Sequence, residues 1–218
     1  MEKVKKSMSV VFLIVIAFTA VSASDAWADS ATYKNYGRLT IGMNQPKGDL
    51  DDAGYDAGFN IGATYGRYLG KNLVVEGSLG SFFTDEDFSG STALAGNYTR
   101  EDFVSASFIL GTIKGELPLG PLTLYAGAGV GFYFVILNSE IETTTLGDLD
   151  AYDSDSAFGT HVVAGGYFNI TPRVFVGFEG LYRWTTEFDM KETVGTIPVE
   201  VEGDLDGYTI CLSGGFRF

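Results

Sequence analysis

The last eleven residues, Tyr208 to Phe218, alternate without a break. Tyr208, Ile210, Leu212, Gly214, Phe216 and Phe218 share one face, and Thr209, Cys211, Ser213, Gly215 and Arg217 share the other. A period of two is the mark of a β-strand whose faces meet different surroundings. Here the apolar face runs to the final residue, an aromatic, where a chain end in water would fray. In a bilayer the same ending is an outward apolar band closed by an interfacial aromatic, with small or polar side chains turned inward. Strands cross a bilayer only as a closed barrel, because an open edge leaves N–H and C=O groups unpaired in hydrocarbon.

Seven earlier segments fit the same pattern. Lys34 to Met43 sets Leu39, Ile41 and Met43 against Arg38 and Thr40. Asp56 to Tyr65 sets Phe59, Ile61 and Tyr65 against Asn60 and Thr64, and Leu73 to Phe83 sets Val75 and Leu79 against Glu76 and Ser78. Glu101 to Lys114 is read with Val104, Ala106, Phe108 and Leu110 on its lipid face. Leu122 to Phe134 alternates longest, beyond the ~9–11 residues that span a membrane. Ala157 to Phe168 and Arg173 to Thr185 follow, and Tyr208 to Phe218 is the eighth. The connections run long, short, long, short, long, short, long. The expected fold is therefore all-β: an antiparallel eight-stranded transmembrane up-and-down barrel with long external loops and short periplasmic turns. An even strand count puts both termini in the periplasm.

Residues 1–28 read as a cleaved signal peptide: a basic start, the apolar run Val10 to Phe18, and Ala26-Trp27-Ala28 before the cut. Val21-Ser22-Ala23 is an alternative site. A transmembrane anchor is the competing reading, but the run is short for a span of roughly 20 residues. Residues 29–218 then form one barrel domain. Composition agrees, with 29 Gly, 17 Phe and 12 Tyr but 5 Pro in 218 residues. Glycine weakens a strand in water, yet it makes room for large side chains inside a narrow barrel. The formal charge is −14, and loss of the signal segment leaves the mature chain one unit more acidic. Such a chain has no electrostatic basis for binding nucleic acid. Cys211 is the single cysteine, which rules out an intrachain disulfide.

Two stretches carry a family resemblance. Gly214-Gly-Phe-Arg-Phe218 is similar to the closing segment of the eight-stranded outer-membrane barrels of the OmpA, OmpX and OmpW type. Ala164 to Tyr182, with Thr171-Pro172 at its turn, resembles their penultimate hairpin. The resemblance implies an outer-membrane location in a Gram-negative bacterium, with outer-membrane lipid and lipopolysaccharide as neighbours. It also implies that the barrel-assembly machinery reads Tyr208, Ile210, Leu212, Phe216 and Phe218 as an insertion signal. The chain is expected to be a monomer.

The candidate functional residues are few. Arg38, Glu76, Glu179, Arg183 and Arg217 face inward and are expected to pair as a polar network that plugs the lumen, since isolated charges there would be costly. A proton or ion path through them is the alternative. His161 is the one histidine. The His-x-Ser pattern of lipid A-modifying barrels is missing, because Val163 stands where Ser would be. No catalytic residue and no cofactor are assigned. Acidic loops surround the barrel, and Asp148, Asp150, Asp153 and Asp155 are the candidates for weak Ca²⁺ or Mg²⁺ binding, although they do not match the 12-residue calcium loop. The role expected is structural or surface-interacting: envelope integrity, or adhesion through acidic loops. An OmpW-like passage for small hydrophobic molecules is the alternative, and a lipid A-modifying enzyme the third.

Overall fold

The computed structural model describes residues 33–92, 96–143, 147–194 and 197–218. Eight strands close a barrel: β1 (Asn35–Pro46), β2 (Gly58–Tyr68), β3 (Leu73–Thr92), β4 (Gly96–Leu119), β5 (Leu122–Thr143), β6 (Gly147–Asn169), β7 (Val174–Thr185) and β10 (Gly207–Arg217). They are hydrogen-bonded in the order β1-β10-β7-β6-β5-β4-β3-β2, every pair antiparallel between chain neighbours or across the β1–β10 seam. At that seam Asn35 and Phe218 exchange backbone hydrogen bonds of 3.0 and 2.9 Å. The described chain ends and three short connections lie at one end of the barrel, called here the turn end.

The turn between β4 and β5 is two residues long. Gly120 has φ +70°, as the first central position of a II′ hairpin requires, and Pro121 follows it. The sequence led us to expect a longer connection, Gly115 to Pro121. Instead Glu116, Leu117, Pro118 and Leu119 remain in the ladder opposite Tyr125, Leu124, Thr123 and Leu122.

Outward side chains form an apolar band. Ile210 and Leu212 are 60% and 68% exposed, while Thr209 and Cys211 between them are buried. Aromatic contacts mark both rims: Tyr65 with Phe218 at the turn end, and Phe83 with Phe103 and Tyr182 with Trp184 at the other. Inside, Tyr36 and Phe175 fill the space above two glycines. A Cβ on Gly66 would stand 2.2 Å from the Tyr36 ring, and one on Gly215 would stand 2.1 Å from the Phe175 ring.

Strand β4 corrects the sequence reading. Val104, Ala106 and Leu110 are buried in the interior, and Ile109 and Ile113 are exposed to the outside. Both faces of this strand are apolar toward its middle, so periodicity alone could not tell them apart. The polar residues Thr112, Lys114 and Glu116, which continue the inward face, decide the direction.

The long loops are also corrected. Expected as solvated connections, they are largely strand: β3 to β6 run 20, 24, 22 and 23 residues. Crossing needs ~9–11, so each continues by about 10 residues, or roughly 30 Å along the strand. Against the inner face of this raised sheet pack the first loop, with a one-turn helix α1 (Asp49–Asp52), and a separate hairpin of β8 (Phe188–Val194) and β9 (Ile197–Gly203). Leu50, Tyr55, Phe188 and Leu205 bury themselves against Val104, Ala106, Val135 and Leu137. Each such leucine or phenylalanine contributes about 1.5–3 kcal/mol. They cap the barrel at this hairpin end.

The parity of β4 is testable. Ile113→Arg, at mid-height on the outer wall, should lower unfolding stability in lipid vesicles by about 2–4 kcal/mol. Ser154→Arg, exposed on the raised sheet, should stay within about 0.5 kcal/mol. Urea titration of the two variants checks the pair.

Candidate functional site

Four strands, of which β3 and β4 are neighbours, each send one charged side chain inward: Arg38 from β1, Glu76 from β3, Lys114 from β4 and Glu179 from β7. Arg38 Nη1 lies 2.6 Å from Glu179 Oε2, and its Nη2 lies 3.5 Å from Glu76 Oε1. Lys114 Nζ lies 2.7 Å from the same Glu76 oxygen. Two tyrosines complete the cluster. The Tyr36 hydroxyl donates to Glu76. The Tyr125 hydroxyl accepts from Arg38 at 3.1 Å and donates to Glu179 at 2.8 Å. Lys114 Nζ also stands 3.9 Å from the centroid of the Tyr125 ring, a cation–π distance. Arg38, Glu76 and Lys114 are 6%, 3% and 1% exposed. Two cations and two anions thus balance in a space that admits little water, the condition under which buried charges are tolerated.

Of the five residues expected to form one network, the structure brings together Arg38, Glu76 and Glu179. Arg217 is separate, nearer the turn end. Its Nη2 donates to Asn169 Oδ1 at 2.8 Å, and its guanidinium lies 4.8 Å from the Phe175 ring centroid. Arg183 is separate toward the hairpin end, where it donates to the Leu205 carbonyl and to Thr209. Strand spacing explains both: Arg183 is four residues beyond Glu179 on β7, a rise of about 13 Å, and Arg217 is six beyond Cys211, the partner of Glu179 on β10. Lys114, Tyr36 and Tyr125 were missed. The inverted reading of β4 put Lys114 on the lipid face; carrying the alternation through Glu116 to Leu119 would have recovered it.

Other inward groups are paired locally. The Tyr167 hydroxyl donates to Glu116 at 2.6 Å and lies 3.3 Å from the Tyr68 hydroxyl. His161 Nε2 is 2.9 Å from the Thr112 hydroxyl, and its Nδ1 has no hydrogen-bond partner among the described residues.

At the hairpin end, the register puts Asp87, Glu101, Glu140 and Asp150 in one row across β3, β4, β5 and β6. Glu142 and Asp148 pair in the row two residues beyond. The side chains of Asp87, Glu142, Asp148 and Asp150 lie outside the described residues. Asp153 accepts the Ser154 N–H at 2.7 Å. Asp155 accepts the N–H groups of Ser156 at 2.7 Å and of Asp189 in β8 at 2.9 Å, which ties the hairpin to the sheet. Among the described residues no three acidic, His or Cys side chains are grouped to hold a metal ion. Partial burial, with Asp206 and Asp49 beside it, pushes the Asp204 carboxyl above its ordinary range.

Tyr208, Ile210 and Leu212 are exposed along the outer face of β10, and Phe216 and Phe218 are half-buried at its turn end.

The sequence matches the model of the outer membrane protein beta-barrel domain over residues 13–218. No curated protein matches it. Among solved structures, a major outer membrane protein from Thermus thermophilus is similar at TM-score 0.56 and 11% identity, covering 86% of this chain and 100% of that one. The outer membrane protein OprG from Pseudomonas aeruginosa is similar at TM-score 0.52 and 14% identity, covering 87% and 98%. Ail of Yersinia pestis, solved with the heparin analogue sucrose octasulfate, is similar at TM-score 0.46 and 16% identity, covering 85% and 99%. At these identities the likeness is one of fold.

The cluster's balance gives a direct test. Lys114→Met leaves Glu76 with the Tyr36 hydroxyl and one long cationic contact, to Arg38, and should cost about 3–5 kcal/mol of unfolding stability. Combining it with Glu76→Gln should recover much of that loss, since a neutral pair needs no compensation. A double-mutant cycle by urea titration in vesicles reads the coupling.

Proposed function

The chain belongs to the outer membrane protein β-barrel family, and from that premise we propose that it is a closed outer-membrane anchor whose working part is the acidic sheet raised above the barrel. One observation carries this reading. The lumen is blocked at two levels, by the Arg38–Glu76–Lys114–Glu179 cluster and by the loop cap, while four of the eight strands continue far beyond what crossing requires. Length that crossing does not need must serve the surface. In this reading the turn end faces the periplasm and the hairpins face outward. Outer-membrane lipid and lipopolysaccharide surround the barrel, and the assembly machinery engages the exposed face of β10 on insertion. The barrel acts as a monomer.

The sheet's chemistry points to cationic partners. Like charges directly opposite one another destabilise a sheet, so the exposed pair Glu101 and Glu140 gains whenever a positive group approaches it. A basic protein surface, or Ca²⁺ or Mg²⁺ shared with lipopolysaccharide phosphates, meets that need.

A passage for small hydrophobic molecules has one observation in its favour: Phe82, Phe108, Leu110, Val163 and Leu181 give the lumen apolar lining. Against it, the β1–β2, β2–β3 and β10–β7 ladders pair residue by residue along the wall. Catalysis is not part of the proposal. His161 is bonded to Thr112, and a hydrolase would need a nucleophile, a base and an orienting carboxylate in mutual reach.

In planar bilayers the purified barrel should show no conductance steps. Proteoliposomes carrying it should adhere to polylysine-coated surfaces. Glu101→Lys combined with Glu140→Lys should abolish that adhesion while leaving heat-modifiable migration unchanged. Steady conductance, or uptake of an apolar solute that depends on the protein, would favour the passage instead.

A further inference from the structure

One guanidinium in the lumen has no anionic partner among the described residues. Between the charge cluster and the cap lies a cavity with about 50 Å³ open to the centres of water molecules. A single water needs ~10–15 Å³ on that measure, so the space holds about four. Arg183 of β7 lines it and is 2% exposed. Its Nε donates to the Leu205 carbonyl at 2.6 Å and its Nη1 to Thr209 Oγ1 at 3.2 Å, and its guanidinium carbon stands 4.1 Å from the Phe82 ring centroid. A guanidinium carries five N–H groups. The remaining ones make no hydrogen bond among the described residues, and no carboxylate there lies within 4 Å of it.

The lumen's other charges do not supply what is missing. Glu76 and Glu179 also line the cavity, but Arg38 and Lys114 already balance them. Glu116 lies toward the turn end, bonded to Tyr167. Asp206 and Asp204 stand at the mouth, bonded to backbone N–H groups and beyond ion-pair distance of Arg183, and the buried Asp102 is held in the cap by Ser139 and Tyr55. Among the described residues, Arg183 is the cation lining the cavity that makes no ion pair.

A second, independent group points into the same space. Tyr133 of β5 lines the cavity, is 1% exposed, and its hydroxyl has no hydrogen-bond partner among the described residues. A buried hydroxyl left unpaired costs about 1–3 kcal/mol, and a buried charge without compensation costs several. Water could satisfy the hydroxyl but would leave the charge. Both groups are donors, and an acceptor bearing one negative charge satisfies both.

We propose that this cavity is a binding site for a small monovalent anion of halide size, held between the Arg183 guanidinium and the Tyr133 hydroxyl. The size follows from the walls. Phe82, Phe108, Leu110 and Leu181 wall the space on the side of Arg183 and Tyr133, and its open volume of about 50 Å³ suits a small ion better than a bulky oxyanion with its water. The site gives Arg183 an anionic partner and ties β5 to β7 over the intervening β6.

The test folds the mature chain from urea into detergent in sodium bromide, so that the ion can enter before the barrel closes. Anomalous diffraction from crystals of that material should place bromide between Arg183 and Tyr133. In solution, Tm should be higher in sodium chloride than in sodium gluconate at equal ionic strength. Arg183→Met also removes the Leu205 and Thr209 bonds, so Tyr133→Phe is the deciding variant. It deletes one donor, keeps the ring, and should weaken halide binding about tenfold or more. Density from water alone with equal Tm in the two salts overturns the proposal. So does bromide bound as tightly by Tyr133→Phe as by the unaltered chain.

Discussion

No backbone N–H or C=O can be left unpaired in hydrocarbon, and everything else in this structure descends from that. It forces the sheet to close, and the β1–β10 seam, with Asn35 and Phe218 exchanging hydrogen bonds, is where it does so. Closure at eight strands fixes a lumen just wide enough for side chains to fill. The lumen's contents are then dictated by packing: Tyr36 lies over Gly66 and Phe175 over Gly215, because no Cβ fits beneath either ring. The many glycines are the inward counterpart of the many aromatics.

A filled lumen changes what charge can do there. Arg38 of β1 reaches over β2 to Glu76 and over β10 to Glu179, while Lys114 meets Glu76 from the adjacent strand β4. Such pairs are poor sources of net stability compared with apolar packing. Their value is geometric: together they hold β1, β3, β4 and β7 to one register, where a slip by one residue would turn a charge to lipid. Arg183 lies outside that balance, in its own layer.

The fold was legible because two environments were written alternately into the chain. β10, β5 and β7 show it plainly: Ile210, Leu124 and Phe178 face out while Thr209, Tyr125 and Glu179 face in. β4 was not legible over Val104 to Leu110, where the interior is as apolar as the lipid, and a pattern between two similar solvents has no direction. That one inversion hid Lys114, and with it half of the cluster's positive charge. The raised sheet was missed for a related reason. Acidic, Gly- and Ser-rich segments such as Thr84 to Arg100 look like loops when hydrophobic alternation is the only strand signal. Above the membrane both faces differ from the barrel's, and the ladder is carried by backbone pairing and by the apolar stripe of Val104, Ala106, Val135 and Leu137.

That stripe also decides where the surface role resides. Had the long strands ended at the membrane, α1 and the β8–β9 hairpin would have had nothing apolar to fold against. Because the strands continue, Leu50, Phe188 and Leu205 are drawn onto their inner face, and the mouth is shut by the same extension that raises the sheet. The inner face is thereby occupied, as Leu50 and Phe188 show, and the opposite face carries the exposed Glu101 and Glu140. A cap that flexed open would uncover apolar surface to water, at a cost of about 1.5–3 kcal/mol for each large side chain exposed. Sealing the lumen and offering a surface are therefore one structural decision, made by the length of β3 to β6.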